Sequence, residues 1–117
     1  EVLEKLKSCD VLIFGIGRAD VMGRRRGLCE KSLNSILEQG AVGEAFGHYF
    51  NKDGEVIFST PTIGFNTEDI WKISTLIAVA GKKSKAEAII STLINKKNSV
   101  LITDEGTAKE ILNILSE

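Results

Sequence analysis

Three short runs in this chain are almost wholly apolar: Val11 to Phe14, Leu76 to Ala80, and Val100 to Ile102 with Thr103. A continuous apolar run of this length, with no polar alternation, is the pattern of a strand buried on both faces, as in a parallel sheet covered by helices on each side. Each run stops at a polar or glycine-bearing turn: Gly15-Ile16-Gly17-Arg18, Gly81-Lys82-Lys83-Ser84 and Asp104-Glu105-Gly106. Helical patterns follow the second and third turns. After Gly81, Ser84 stands at an N-cap position and Glu87 completes a capping box. Ala86, Ile89, Ile90, Leu93 and Ile94 then form one apolar stripe that ends near Asn95. Thr107 to Leu115 repeats the period with Ala108, Ile111, Leu112 and Leu115 inward, and further helices are read at Val2 to Lys7 and at Glu30 to Glu38, the latter with Leu33, Ile36 and Leu37 inward. The fold class is therefore α/β.

The middle of the chain breaks this rhythm. Glu44 to Phe50 reads as one extended arm, Asn51-Lys52-Asp53-Gly54 as a turn, and Glu55 to Phe58 as the returning arm, which makes a β-hairpin inserted into the α/β chain and closed by Pro61. Thr67 then caps a short helix reaching Ile73, with Glu68 and Asp69 in its first turn. Three parallel strands alone leave both sheet edges open, a liability that natural domains cover. The expectation is that these residues are the C-terminal part of a larger domain.

Composition narrows the function. The chain has 117 residues, 43% apolar and 26% charged, with 15 basic and 16 acidic side chains. This is a globular balance, and a net charge of −1 does not suit a protein that coats nucleic acid. Cys9 and Cys29 show no C-x-x-C spacing and no histidine cluster, so they are read as reduced thiols in a cytoplasm, with neither a disulfide framework nor a structural zinc. No apolar run approaches the roughly 18 residues of a membrane span.

In an open parallel sheet, ligands bind beyond the carboxyl ends of the strands. Here the loops at that end are cationic: Arg18, Arg24, Arg25 and Arg26 after the first run, and Lys82, Lys83 and Lys85 at the mouth of the helix after the second. Such a mouth favours an anion, most naturally phosphate, and the competing reading is a set of solvated surface charges. Gly15-Ile16-Gly17 lacks the third glycine of a dinucleotide fingerprint, Asp20 standing in its place, and no phosphate-loop lysine and serine pair follows. No cofactor is implied. His48 is the single histidine and reads as structural or exposed; Phe46, Tyr49, Phe50 and Trp71 read as core or interface.

Three segments carry a resemblance: Gly40-Ala41-Val42-Gly43-Glu44-Ala45-Phe46-Gly47-His48-Tyr49-Phe50-Asn51, then Ile77-Ala78-Val79-Ala80-Gly81-Lys82-Lys83-Ser84-Lys85-Ala86-Glu87-Ala88-Ile89, and Leu101-Ile102-Thr103-Asp104-Glu105-Gly106-Thr107-Ala108-Lys109. In this order they resemble the effector-binding domain of SorC/DeoR-type bacterial transcriptional regulators. The resemblance implies a Rossmann-like parallel sheet flanked by helices, related to ribose-5-phosphate isomerase, glucosamine-6-phosphate deaminase and CoA transferases. It also implies a phosphorylated sugar as ligand, fructose 1,6-bisphosphate or a related glycolytic compound, and a homo-oligomer whose operator contacts belong to a helix-turn-helix absent from this chain. By motif, Lys85 would meet ligand phosphate, Glu44 a sugar hydroxyl, and Arg25 or Arg26 a phosphate. Gly15, Gly17, Gly81 and Ser84 complete the candidate set. The family often has Gly-Gly where this chain has Gly81-Lys82, and an acidic residue is common where Arg18 stands. A sensor without catalytic activity is the leading reading. The alternative is a sugar-phosphate isomerase or deaminase on the same fold, against which Arg18-Ala19-Asp20-Val21 replaces the Asp-Gly-His of the deaminases.

Overall fold

The computed structural model describes residues 8–60 and 67–117. In chain order they form β1 (Val11–Phe14), β2 (Gly17–Arg18), α1 (Ala19–Arg25), α2 (Glu30–Glu38), β3 (Ala41–Ala45), β4 (His48–Asn51), β5 (Val56–Ser59), α3 (Thr67–Trp71), β6 (Thr75–Val79), α4 (Ala86–Leu93), β7 (Ser99–Ile102) and α5 (Glu105–Leu115), with a 3-10 turn at Lys83–Lys85 ahead of α4. The three apolar runs become one parallel sheet in the order β1-β6-β7, and the inserted segment becomes a second, antiparallel sheet in the order β2-β3-β4-β5. The helix read at Val2 to Lys7 and the closing Pro61 lie outside the described residues, and Thr67, read as a cap, is itself the first residue of α3.

The parallel sheet is covered on one face only among the described residues, which corrects the expectation of burial on both. Side chains alternate along a strand, so Phe14, Leu76 and Ala78 point into a core shared with Ala88 and Ile89 of α4, onto which Leu12, Leu101 and Ile111 pack. Their neighbours in sequence point the other way: Val11, Ile13, Val79, Val100 and Ile102 are all about half exposed or more.

The insertion is more than a hairpin. The arm expected to run unbroken from Glu44 to Phe50 turns back at Phe46 and Gly47, both at positive φ (56° and 79°), so that Ala45 pairs with His48 and β3 lies against β4. The second turn forms as read: Asn51 Oδ1 accepts from the amides of Asp53 and Glu55 at 3.0 and 2.9 Å. The stretch after Gly17, read as loop, is helical as α1. Asp20 sits in its first turn, where it receives Arg18 at 2.7 Å, and Gly23 lets Leu33 of α2 come close.

The remaining corrections concern helix ends and faces. α4 starts at Ala86, because the 3-10 turn consumes Lys83 to Lys85; Ser84 caps nothing and the capping box does not form. α3 ends at Trp71, short of Ile73. α5 starts at Glu105, capped by Asp104, whose Oδ1 accepts from the Thr107 amide at 2.7 Å. Thr107 is fully buried, and Ile111 and Ile114 continue its row, so Leu112 and Leu115 fall on the flank, 68% and 56% exposed, instead of inward. α2 matches its expected span, with Leu33 and Ile36 buried. No helix of the described residues is long and apolar enough to cross a membrane.

α4 packs on β3 through an unusually close approach. A Cβ added to Gly43 would stand 2.5 Å from Ser91 Oγ and 2.6 Å from the Ala88 carbonyl oxygen. Ser91 and Thr92 are themselves fully buried and donate back to that same carbonyl at 2.8 and 2.9 Å, so the polar side of α4 needs no water where it meets the sheet. This contact places the start of α4 beside β2 and β3.

Candidate functional site

Beyond the carboxyl end of β1, a cleft of about 410 Å³ is lined by Phe14, Gly15, Ile16, Gly17, Met22, Arg26, Glu44, Phe46 and Lys85. Five of the eight candidate residues therefore meet in one place. A smaller hollow of about 220 Å³ adjoins it, sharing Gly17, Met22 and Lys85 and adding Arg18, Arg25, Lys82 and Ser84. Gly81 lines neither. Its bare Cα faces Asp104, where a Cβ would come within 2.7 Å of Oδ2.

The two arginines left open by the sequence are separated by α1. Arg25 is on its last turn and faces the smaller hollow, while Arg26 is the C-cap residue and folds back over β3. Arg26 Nε forms an ion pair with Glu44 Oε2 at 2.7 Å, and the same oxygen accepts from the Gly47 amide at 2.8 Å. The guanidinium is 42% exposed while the Glu44 side chain is 3% exposed, so the pair presents a cation to the cleft from a buried anchor. Glu44 is thus no surface carboxylate: it orients Arg26, pins the tight turn after β3, and leaves Oε1 without a partner among the described residues. Behind it, Tyr49 is fully buried across the strand pair; burial raises its phenol pKa, the Glu44 charge adds to that, and Arg26 opposes it.

Lys85 occupies the N-terminal end of α4, where free amides and the helix dipole favour a negative charge, and no carboxylate pairs with it among the described residues. Its loop is held in shape by strain and by a cap. Lys82 has φ 97° and ψ 133°, a conformation suited to glycine, and its amide donates to Asp104 Oδ2 at 3.1 Å. The Asp104 carboxyl lies below the ordinary range because it accepts from Thr107 and from the Lys82 amide. One residue therefore caps α5 and braces the loop that leads to Lys85. Lys82→Gly is expected to raise stability by about 1 kcal/mol, the relieved backbone strain exceeding the extra freedom of glycine in the unfolded chain. Urea unfolding that gave an equal or lower midpoint for the variant would refute strain at this residue.

The sequence reading missed Phe46 and Met22 as cleft walls. Phe46 reads in the sequence as core or interface, and its ring lies 5.3 Å from Phe14 and 5.7 Å from Trp71. Its signal was an aromatic directly before a glycine, where a two-residue turn ordinarily takes Asn or Gly. His48 is structural, buried and accepting at Nδ1 from Trp71 Nε1 at 3.1 Å. Lys96 Nζ sits 4.7 Å from the centres of both Phe50 and Trp71, and burial lowers its pKa. Cys9 and Cys29 are both exposed.

Residues 1–113 match the family model for a sugar-binding domain, Sugar-bind. The chain belongs to this family. It is 47% identical over 112 residues to the central glycolytic genes regulator of Bacillus subtilis strain 168, covering 96% of this chain and 33% of that protein. It is 29% identical over 125 residues to the transcriptional regulator LsrR of Klebsiella pneumoniae, covering 99% of this chain and 39% of that one. A solved SorC family transcriptional regulator from Enterococcus faecalis superposes with a TM-score of 0.85 at 36% identity, over 95% of this chain and 45% of its own. The sugar-binding domain thus has the α/β fold and the SorC/DeoR kinship expected of it, and spans about a third of the length of the curated relatives it matches.

Proposed function

We propose that this sugar-binding domain senses a phosphorylated sugar, fructose 1,6-bisphosphate or a related glycolytic sugar phosphate, as the C-terminal portion of the effector domain of a bacterial transcriptional regulator. The observation that carries the reading is the convergence of Arg26, Glu44 and Lys85 on one cleft. A buried carboxylate orients a half-exposed guanidinium, an ammonium with no carboxylate partner among the described residues stands at a helix mouth, and a Gly-Ile-Gly loop gives close backbone approach. The cationic groups suit phosphate, and Glu44 Oε1 suits a hydroxyl that inorganic phosphate lacks. Arg25, Lys82 and Ser84 in the adjoining hollow offer a second anion a place within reach of the first. Operator contacts belong to a helix-turn-helix elsewhere in the regulator, and the ligand acts by binding one state of a homo-oligomer more tightly than another.

We read the domain as a sensor and not an enzyme. Glu44, the buried carboxylate at the cleft among the described residues, is already engaged by Arg26 and the Gly47 amide through Oε2, so it is held as an orienting group and not aimed at a substrate carbon. Calorimetric titration of the full-length regulator with fructose 1,6-bisphosphate, glucose and inorganic phosphate tests this, alongside incubation with ribose 5-phosphate and glucosamine 6-phosphate. Saturable binding of the bisphosphate without turnover is expected. Turnover of either monophosphate would overturn the sensor reading.

Lys85→Ala is expected to weaken the sugar phosphate by 10- to 30-fold, roughly 1.5 to 2 kcal/mol, without lowering the melting temperature. An unchanged affinity would return Lys85 to solvated surface charge.

A further inference from the structure

Phe46 holds a φ of 56°, the left-handed region that a bulky side chain rarely occupies, at a turn position where Asn, Asp or Gly sits without strain. The backbone is fixed there through both polar groups of Gly47. Its amide donates to Glu44 Oε2 at 2.8 Å, and its carbonyl accepts from the Thr60 amide at 2.9 Å and from Thr60 Oγ1 at 3.2 Å. Strain of this kind persists only where the surroundings over-determine it, and it concentrates at ligand clamps. What it secures here is the place of the ring. The ring packs against Phe14 and edge-on to Trp71, is only half-buried, and lines the cleft with Phe14 and Met22. The cleft thus joins an apolar patch to the charged set Arg26, Glu44 and Lys85. Phosphates and hydroxyls account for the charged set alone, because a phosphate gains nothing by leaving water for a phenyl ring. The C–H groups of a closed sugar ring do gain: they are apolar enough to be shed from water, and their slight positive charge suits the electron-rich face of an aromatic ring.

We propose, resting on the sugar-phosphate reading of the cleft, that Phe46 is a specificity-determining residue: its ring receives the C–H face of a closed sugar ring and so selects cyclic sugar phosphates over open-chain phosphates of equal charge. An open chain offers the same phosphates to Arg26 and Lys85 and the same kind of hydroxyl to Glu44. It presents no rigid apolar face, however, and it must be ordered on binding. Asparagine at this turn would relieve the backbone and lose the discrimination, which accounts for a strained phenylalanine where a relaxed residue would build the same turn.

Calorimetric titration of the full-length regulator with two bisphosphates tests this: fructose 1,6-bisphosphate, which closes into a ring, and its reduced form, an open-chain hexitol 1,6-bisphosphate carrying the same two phosphates. The wild type is expected to bind the ring about tenfold more tightly than the chain. Phe46→Leu should cost the ring roughly five- to tenfold in affinity and leave the chain within about twofold, whereas Phe46→Tyr, which keeps the aromatic face, should retain the preference. Phe46→Asn, suited to the positive φ, takes the place of Phe46→Leu if the latter fails to fold. Equal losses for ring and chain would reduce Phe46 to a structural wall, and an unchanged ratio would remove it from the ligand altogether. Either result overturns the proposal, as does equal binding of ring and chain by the wild type. Binding of neither bisphosphate by the wild type would instead overturn the sugar-phosphate reading, and this assignment with it.

Discussion

Replacing Arg26 with alanine is expected to weaken sugar-phosphate binding on the order of 100-fold, about 2.7 kcal/mol, the upper range for one charge-assisted contact. The loss exceeds that of Lys85→Ala because two things disappear together: a guanidinium aimed at the ligand, and the counter-charge that makes the cleft hospitable to an anion. Without Arg26 the buried Glu44 carboxylate keeps only the Gly47 amide and repels an incoming phosphate. A stability loss of about 1 to 2 kcal/mol should accompany it, less than for a fully buried pair because the guanidinium is 42% exposed. Arg26→Lys should recover charge but not the geometry that Nε provides, and remain at least tenfold weak. Arg25→Ala, on the smaller hollow, should cost less. Calorimetry on the three variants decides the matter, and equal effects at Arg25 and Arg26 would sink the assignment of the primary contact to Arg26.

The largest structural effect is expected at Gly43. Gly43→Val should destabilise the domain by about 3 kcal/mol, because its Cβ would overlap Ser91 Oγ and the Ala88 carbonyl, forcing α4 away from β3. Ser91→Gly in the same chain should recover little, since the Ala88 carbonyl belongs to the helix backbone and cannot swing aside. Urea unfolding of the single and double variants measures this. Full rescue by Ser91→Gly would mean that only a side-chain clash had been involved.

What the sequence disclosed, and what it withheld, follows the range of the interactions concerned. β1, β6 and β7 were legible because three to five consecutive apolar residues bounded by turns have few uses besides a sheet interior, and α2 and α5 because their periods run for two turns or more. Periodicity could not say which face of those strands was covered, as Ile13 and Leu12 are equally apolar and differ only in what packs against them. The turn at Phe46 and Gly47 was hidden because its first residue is the wrong type for a positive φ and is held there by tertiary contacts, the Glu44 bond to Gly47 and the Phe14 and Trp71 rings. Ser84 misled for a related reason: the capping spacing was present, but a 3-10 turn moved the helix start past it. At the site, charge and loop position pointed only to the cationic loops around Arg18 to Arg26 and Lys82 to Lys85, and it was the resemblance that singled out Arg25 or Arg26, Glu44 and Lys85. Choosing between neighbouring arginines required knowing that α1 ends between them, and no local signal in Arg24-Arg25-Arg26 carries that.

Trp71, the single tryptophan of the chain, packs edge-on against Phe14 and Phe46, both of which line the cleft, and lies under the Lys96 ammonium on another side. The indole is therefore one ring removed from whatever fills the cleft, with a charged neighbour near enough to tune its emission. The consequence is optical: the domain carries its own unlabelled fluorophore, and a ligand that shifts Phe46 is read directly as a change in intrinsic fluorescence.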